Sequence, residues 1–134
     1  MIQRSFYSLF SEDPASTAEW YRSHFGFEVT FDSDWFVHLR APGNELLELG
    51  IIDRSHEIVP EAHRLAPAGG MLTLVVDDVD EVHRRLVADG HHVIEEPRDL
   101  FYGQRRMLLA DPTGALVDVS SECEPDPEWL ASLS

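Results

Sequence analysis

The chain is short of cysteine, of positive charge and of long apolar runs, and each shortage removes a class of function. Cys123 is the only cysteine among 134 residues, so neither an internal disulfide nor a cysteine metal cluster can form, and a cytoplasmic setting is expected. Ten Lys plus Arg stand against 25 Asp plus Glu, a formal net charge of -15. Such a charge repels phosphate backbones and anionic membranes, so neither nucleic acid nor membrane is expected as a partner, whereas a neutral or cationic small molecule is compatible with it. No stretch approaches the roughly 20 apolar residues that span a bilayer, and Met1 to Ser5 lack the apolar core of a secretion signal. Catalytic signatures are missing too: there is no Gly-x-Ser-x-Gly elbow, no dinucleotide or phosphate-loop glycine spacing, and no histidine pair four apart on one helix face.

What is present is ordinary globular content, 43% hydrophobic and 26% charged, enough to bury a core in one compact unit or in two half-sized modules sharing one core. Phe6 to Phe10 reads as a strand. Asp13 can cap a helix whose first turn holds Pro14, and the helix should run to Phe25 and stop at Gly26. Strands follow at Phe27 to Phe31, Trp35 to Arg40 and Leu46 to Ile52, with Pro42-Gly43-Asn44 as a hairpin turn. After residues 53–70 the order returns. Leu72 to Val76 is a strand, Asp78 and Glu81 form a capping box for a helix over Val79 to Asp89, and Gly90 ends it. Strands at His92 to Glu95, Arg105 to Ala110 and Ala115 to Ser120 complete the second half, with Asp111-Pro112-Thr113-Gly114 as its last turn. Asp13 and Asp78 lie 65 positions apart, Glu48 and Asp118 lie 70 apart, and this near-constant offset points to a duplication. The expected organisation is one domain over 1–121, with module 1 at about 5–53, a linker at 54–69 and module 2 at about 70–121. The tail, 122–134, is either loose or a short helix docking through Trp129.

Ser11-Glu12-Asp13-Pro14 through Trp20-Tyr21 to Phe25-Gly26-Phe27, then Leu47-Glu48-Leu49, and Tyr102-Gly103-Gln104-Arg105 leading to Asp111-Pro112-Thr113-Gly114 carry a resemblance over Phe6 to Ser120. In this order and spacing the chain resembles the vicinal oxygen chelate superfamily of glyoxalases, extradiol dioxygenases and bleomycin resistance proteins, and most of all its metal-free, bleomycin-resistance-like members. The resemblance implies an α+β fold, two βαβββ modules forming a curved mixed sheet with a central cup and helices on the outer face, and a homodimer. It also implies that metal ligands, where members use them, sit at the places of Phe6, Glu48, Met71 and Asp118. Phenylalanine cannot bind a metal and a thioether is too soft for the ions such sites hold. Neither a metal nor any other cofactor is therefore expected.

Hairpin parity then suggests the lining. If Arg40 pairs with Glu45, then Glu48 opposes Val37 and shares its face with Trp35, Val37 and Leu39, leaving His38 on the other face. If Ala110 opposes Ala115, Asp118 shares its face with Arg105, Met107 and Leu109; an odd loop reverses this. The expected ligand-binding residues are Phe6, Ser8, Phe10, Trp35, Glu48, Met71, Tyr102, Arg105, Met107 and Asp118, an apolar concavity with a few polar groups, the alternative being that these aromatics only fill the core. Arg105 either pairs with a carboxylate inside or is a solvated strand-end residue with Arg106 as the inward neighbour, and Tyr102 is either an aromatic lid or a plain turn residue. Function follows as an expectation: a protein that binds, and in the manner of resistance proteins sequesters, an aromatic or cationic compound. The alternative is a lyase, isomerase or dioxygenase acting through Glu48 and Asp118.

Overall fold

A computed structural model describes every residue from Met1 to Ser134. The elements are β1 (Tyr7–Ser11), α1 (Pro14–Phe25), β2 (Glu28–Asp32), β3 (Phe36–Ala41), β4 (Asn44–Asp53), a 3-10 turn at Glu61–His63, β5 (Met71–Val75), α2 (Val79–Ala88), β6 (Val93–Leu100), β7 (Gln104–Ala110), β8 (Leu116–Glu122) and α3 (Pro127–Ser132). These are two tandem βαβββ modules. Each gives a four-stranded mixed sheet, ordered β1-β4-β3-β2 and β5-β8-β7-β6, in which the first strand of the module runs parallel to its last. Two compact units result: Met1–Gly69 together with Asp111–Ala115, and Gly70–Ala110 together with Leu116–Ser134. No helix is long and apolar enough to cross a membrane.

The helix ends follow the capping residues. Asp13 accepts from the Ser16 amide at 3.1 Å and Pro14 opens α1, while Gly26, at φ 74°, takes the left-handed position that closes it. Asp78 does the same for α2, accepting from the Asp80 and Glu81 amides at 3.0 and 3.3 Å. In the first unit α1 packs on β2, β3 and β4, and Leu9, Val37, Leu39, Leu49 and Ile51 are almost wholly buried with Tyr21. In the second, α2 packs on β6, β7 and β8 and contributes Val79, Val82 and Leu86 to a core with Met107, Leu109, Val117 and Val119. Each such side chain withdrawn from water contributes roughly 1.5 to 3 kcal/mol.

Two local outcomes differ from, or decide between, the sequence expectations. β6 extends to Leu100 instead of stopping near Glu95. It is an edge strand whose register against β7 shifts between Val93 and Glu95 and again between Glu95 and Arg98, and such an irregular edge tolerates Pro97, which cannot donate to a ladder. The tail forms the helix alternative: Asp126 caps α3, its own amide donates to the Phe101 carbonyl at 2.8 Å, and Trp129 meets Phe101 edge to face at 5.6 Å.

Gly50 in β4 marks a close approach on the side of the first sheet away from α1. A Cβ there would collide with Ser8 Oγ and stand 3.1 and 3.2 Å from the Phe36 and Phe6 rings. Ser8 could rotate away, but the two rings would still crowd the methyl group. Gly50→Ala is expected to cost about 1 to 3 kcal/mol in urea unfolding; a neutral result would mean that the rings have room to move.

Candidate functional site

The helix-free face of the first sheet differs from the parity expected for its hairpin. Arg40 lies opposite Glu48 and His38 opposite Gly50, because Ala41 pairs with Asn44 and the register then shifts, leaving residues 45–47 outside the ladder. The three skipped residues, an odd number, exchange the faces. His38 therefore joins Glu48, while Val37 and Leu39 lie in the core beneath α1. Leu46, in the skipped stretch, is exposed. Trp35 does not share the face of Glu48; its ring stacks on His56 with centroids 4.7 Å apart. Phe6 and Ser8, from the first strand and the residue before it, are on the Glu48 face as expected, together with Phe36, which parity had placed opposite.

At the centre of this face is a polar chain. The Glu48 side chain is only 8 % exposed and accepts from Arg4 Nε at 2.9 and 2.8 Å on its two oxygens, and from Arg4 Nη2. His38 Nε2 lies 2.8 Å from Glu48 Oε1 and 3.0 Å from Arg4 Nη2. His38 Nδ1 meets Thr30 Oγ1, whose own proton is directed to the His38 carbonyl at 3.1 Å. With the hydroxyl proton so placed, Thr30 accepts from Nδ1–H. Nε2 is then an acceptor toward Arg4 in the neutral ring and a donor toward Glu48 in the protonated one. The Arg4 hydrogen bonds, seconded by Arg4 and His38 charge, hold the Glu48 carboxyl below its ordinary 4.5. Arg4 and Thr30 were not singled out in the sequence, because the contacts that give them a role span 44 and 8 positions.

The second hairpin also departs from the even loop. Ala110 pairs with Leu116, so Asp118 opposes Leu108 and Arg106 opposes Ser120. Asp111 causes the shift: its Oδ1 accepts from the Thr113 and Ala115 amides at 2.8 and 3.0 Å, folding Ala115 into a five-residue turn, Asp111 to Ala115. Arg105 and Met107 are therefore on the helix side. Arg105 Nε donates to Asp80 of α2 at 3.1 Å and Nη1 to Asp99 at 3.1 Å, and Met107 is fully buried. Arg106 takes the place beside Asp118 that the sequence left open for it, and its Nη2 is 3.5 Å from Glu95.

Asp118 itself is buried, accepts one bond on Oδ2 from Thr73 Oγ1 at 3.2 Å, and leaves Oδ1 without a partner. Burial raises its pKa above the ordinary 3.8, against the Thr73 bond and the charge of Arg106. A raised carboxyl pKa means that this group favours folding only at acid pH and loses that contribution as pH rises. Asp118→Asn is thus expected to melt higher than wild type near neutral pH, with the gap closing below about pH 3.8; a lower melting temperature at neutral pH would show a hidden partner for the charge. Met71 is exposed on β5, two residues before Thr73. Tyr102, in the turn before β7, rests edge to face on Phe101 at 5.2 Å.

Phe10 lines a cleft of about 380 Å³ in the first unit, beside Ser11, Thr17, Arg54 and Thr113. Its polar groups are engaged: Ser11 and Thr17 hydroxyls lie 2.8 Å apart and Arg54 pairs with Glu12. Nor do the donors fit a transition metal. Phe6 and Met71 offer no hard ligand, and no three His, Cys, Asp or Glu side chains are grouped so as to hold an ion.

Solved structures with the same fold include a member of the glyoxalase/bleomycin resistance protein/dioxygenase superfamily from Sphaerobacter thermophilus, 22% identical over 91% of this chain and 98% of that one with a TM-score of 0.75. A possible glyoxalase from Bacillus cereus is 19% identical over 92% and 100%, at 0.68, and a glyoxalase/bleomycin resistance protein/dioxygenase from Nocardioides is 21% identical over 95% and 88%, at 0.70. Among curated proteins none matches. The model of the Glyoxalase/Bleomycin resistance protein/Dioxygenase superfamily matches residues 4–119. The modules built from strand, helix and three strands, and the match over most of the length, lead to one assignment: the chain belongs to the glyoxalase/bleomycin resistance protein/dioxygenase, or vicinal oxygen chelate, superfamily.

Proposed function

We propose that the protein binds an aromatic or cationic small molecule on the helix-free faces of its sheets, sequestering it in the cytoplasm as a homodimer. Superfamily membership supports a small-molecule-binding or enzymatic role of this general class. The observation that carries the binding reading is Asp118, a buried carboxylate with one oxygen unpartnered. A fold keeps such a group at a cost to its stability where a ligand donor completes it. The Phe6, Phe36 and His38 rings around Glu48 supply apolar surface for a flat ligand. Exposed Tyr7 and Val75 on the edge strands β1 and β5 support self-association, which light scattering tests directly.

The ligand screen is a thermal-shift series of neutral, cationic and anionic aromatic compounds, in which a ligand at 100 times its dissociation constant stabilises by about 2.7 kcal/mol. Hits should be weakened by Asp118→Asn or Glu48→Gln. No shift with any neutral or cationic aromatic, or hits indifferent to both substitutions, would overturn the reading. One observation favours an enzyme of lyase or isomerase type instead: Thr30 orients His38 so that its Nε2 can exchange a proton beside Glu48. Turnover of a hit compound that disappears in His38→Asn would decide for it.

A further inference from the structure

We infer that Arg4 is an internal occupant of a recess built for a planar nitrogen cation, and that a guanidinium or amidinium ligand must displace it. This rests on the reading of the Glu48 face as a ligand site. The acceptors belong to the sheet: Glu48 comes from β4 and His38 from β3, with side chains 8 % and 11 % exposed while Arg4 covers them. Phe6, in the same segment as Arg4 and directly before β1, turns its ring toward the cation, with the Arg4 Cζ 5.0 Å from its centroid. The occupant is not part of the sheet. Arg4 lies in residues 1–6, which precede β1, have no regular structure and are exposed, and its own side chain is 58 % exposed.

The acceptors explain the selectivity. Two carboxylate oxygens and, in the neutral ring, the Nε2 of His38 are all met by one flat guanidinium, Nε on both oxygens and Nη2 on Oε1 and Nε2. A planar fork of N–H donors satisfies them together, whereas a primary ammonium is a compact point charge. The Phe6 face adds a cation–π contact of the kind a delocalised cation makes. An ion pair with one exposed, long-chain member is weakly held, so Arg4 can be exchanged for a ligand that brings the same head group and a flat body for the neighbouring rings. Occupancy by Arg4 lowers apparent affinity by the fraction of time that the recess is free.

The test titrates benzamidine into full-length wild type, Arg4→Ala, Glu48→Gln and Arg4→Ala/Glu48→Gln by calorimetry, with melting curves to confirm that each is folded. Removing an occupant present about nine-tenths of the time should tighten binding about tenfold, and the double variant should lose that gain. Benzylamine should gain less than benzamidine from Arg4→Ala. Equal or weaker benzamidine binding by Arg4→Ala would overturn the inference. If Glu48→Gln alone still weakened that binding, the Glu48 face would stand as a ligand site with Arg4 as part of its wall. Absence of benzamidine binding in every variant would overturn the inference too, while the aromatic screen would separately decide the fate of the site.

Discussion

Met107→Ala is expected to lower stability by about 2 to 5 kcal/mol, the range for truncating a buried Met, and to leave ligand affinity of the folded protein unchanged. Met107 is fully buried, pairs with Val119 across β7 and β8, and sits on the side of the sheet that carries α2 with Leu109, Val117 and Leu86. Truncation leaves a void that close-packed neighbours can only partly fill. The other register, with Ala110 opposite Ala115, would have put Met107 beside Asp118, where the same substitution would alter binding more than stability. Urea unfolding combined with titration of a screened ligand separates the two. A neutral effect on stability with loss of binding would contradict the register described for this hairpin.

Asp111→Ala is expected to cost about 3 kcal/mol, because a buried acceptor of several bonds leaves its donors stranded. Its Oδ2 takes the Tyr21 hydroxyl at 2.5 Å, and its Oδ1 takes the Thr113 hydroxyl at 2.5 Å besides the Thr113 and Ala115 amides. Tyr21→Phe removes one of these bonds and should cost about 1 to 3 kcal/mol. Alkaline pH offers an independent check. Burial, and then the charge and hydrogen bond of Asp111, raise the Tyr21 phenol well above its ordinary 10.0. The unfolded chain releases this proton first, so the contribution of Tyr21 is complete below pH 10 and falls as pH rises further, by up to about 1.4 kcal/mol per pH unit. Wild type should therefore approach Tyr21→Phe in stability above pH 10. A constant difference between the two across that range would argue that the phenol is neither buried nor held by Asp111.

The elements themselves are written locally. Asp13 with Gly26 bounds α1, and Asp78 with the left-handed Gly90 just past Asp89 bounds α2, since caps act on amides and carbonyls within a turn of themselves, and alternating apolar residues mark the strands between turn residues. The repeated order of elements, and with it the superfamily, could be read without any contact between distant residues. Which side chains share a face could not. In a strand the side-chain period is two, so a slip of one or three residues in a loop reverses every assignment beyond it. Residues 45–47 leave the ladder in one hairpin and the Asp111 carboxylate draws Ala115 out of it in the other, exchanging His38 for Val37 and Arg106 for Arg105. The Asp at the head of the second turn, with a Thr two residues later, was a visible sign of such a side-chain-built turn. Nothing near Arg4 or Tyr21 in the chain signals their partners, which lie 44 and 90 positions away. A long-range hydrogen bond is selected by where the folded backbone brings two groups together, so only the tertiary structure decides it.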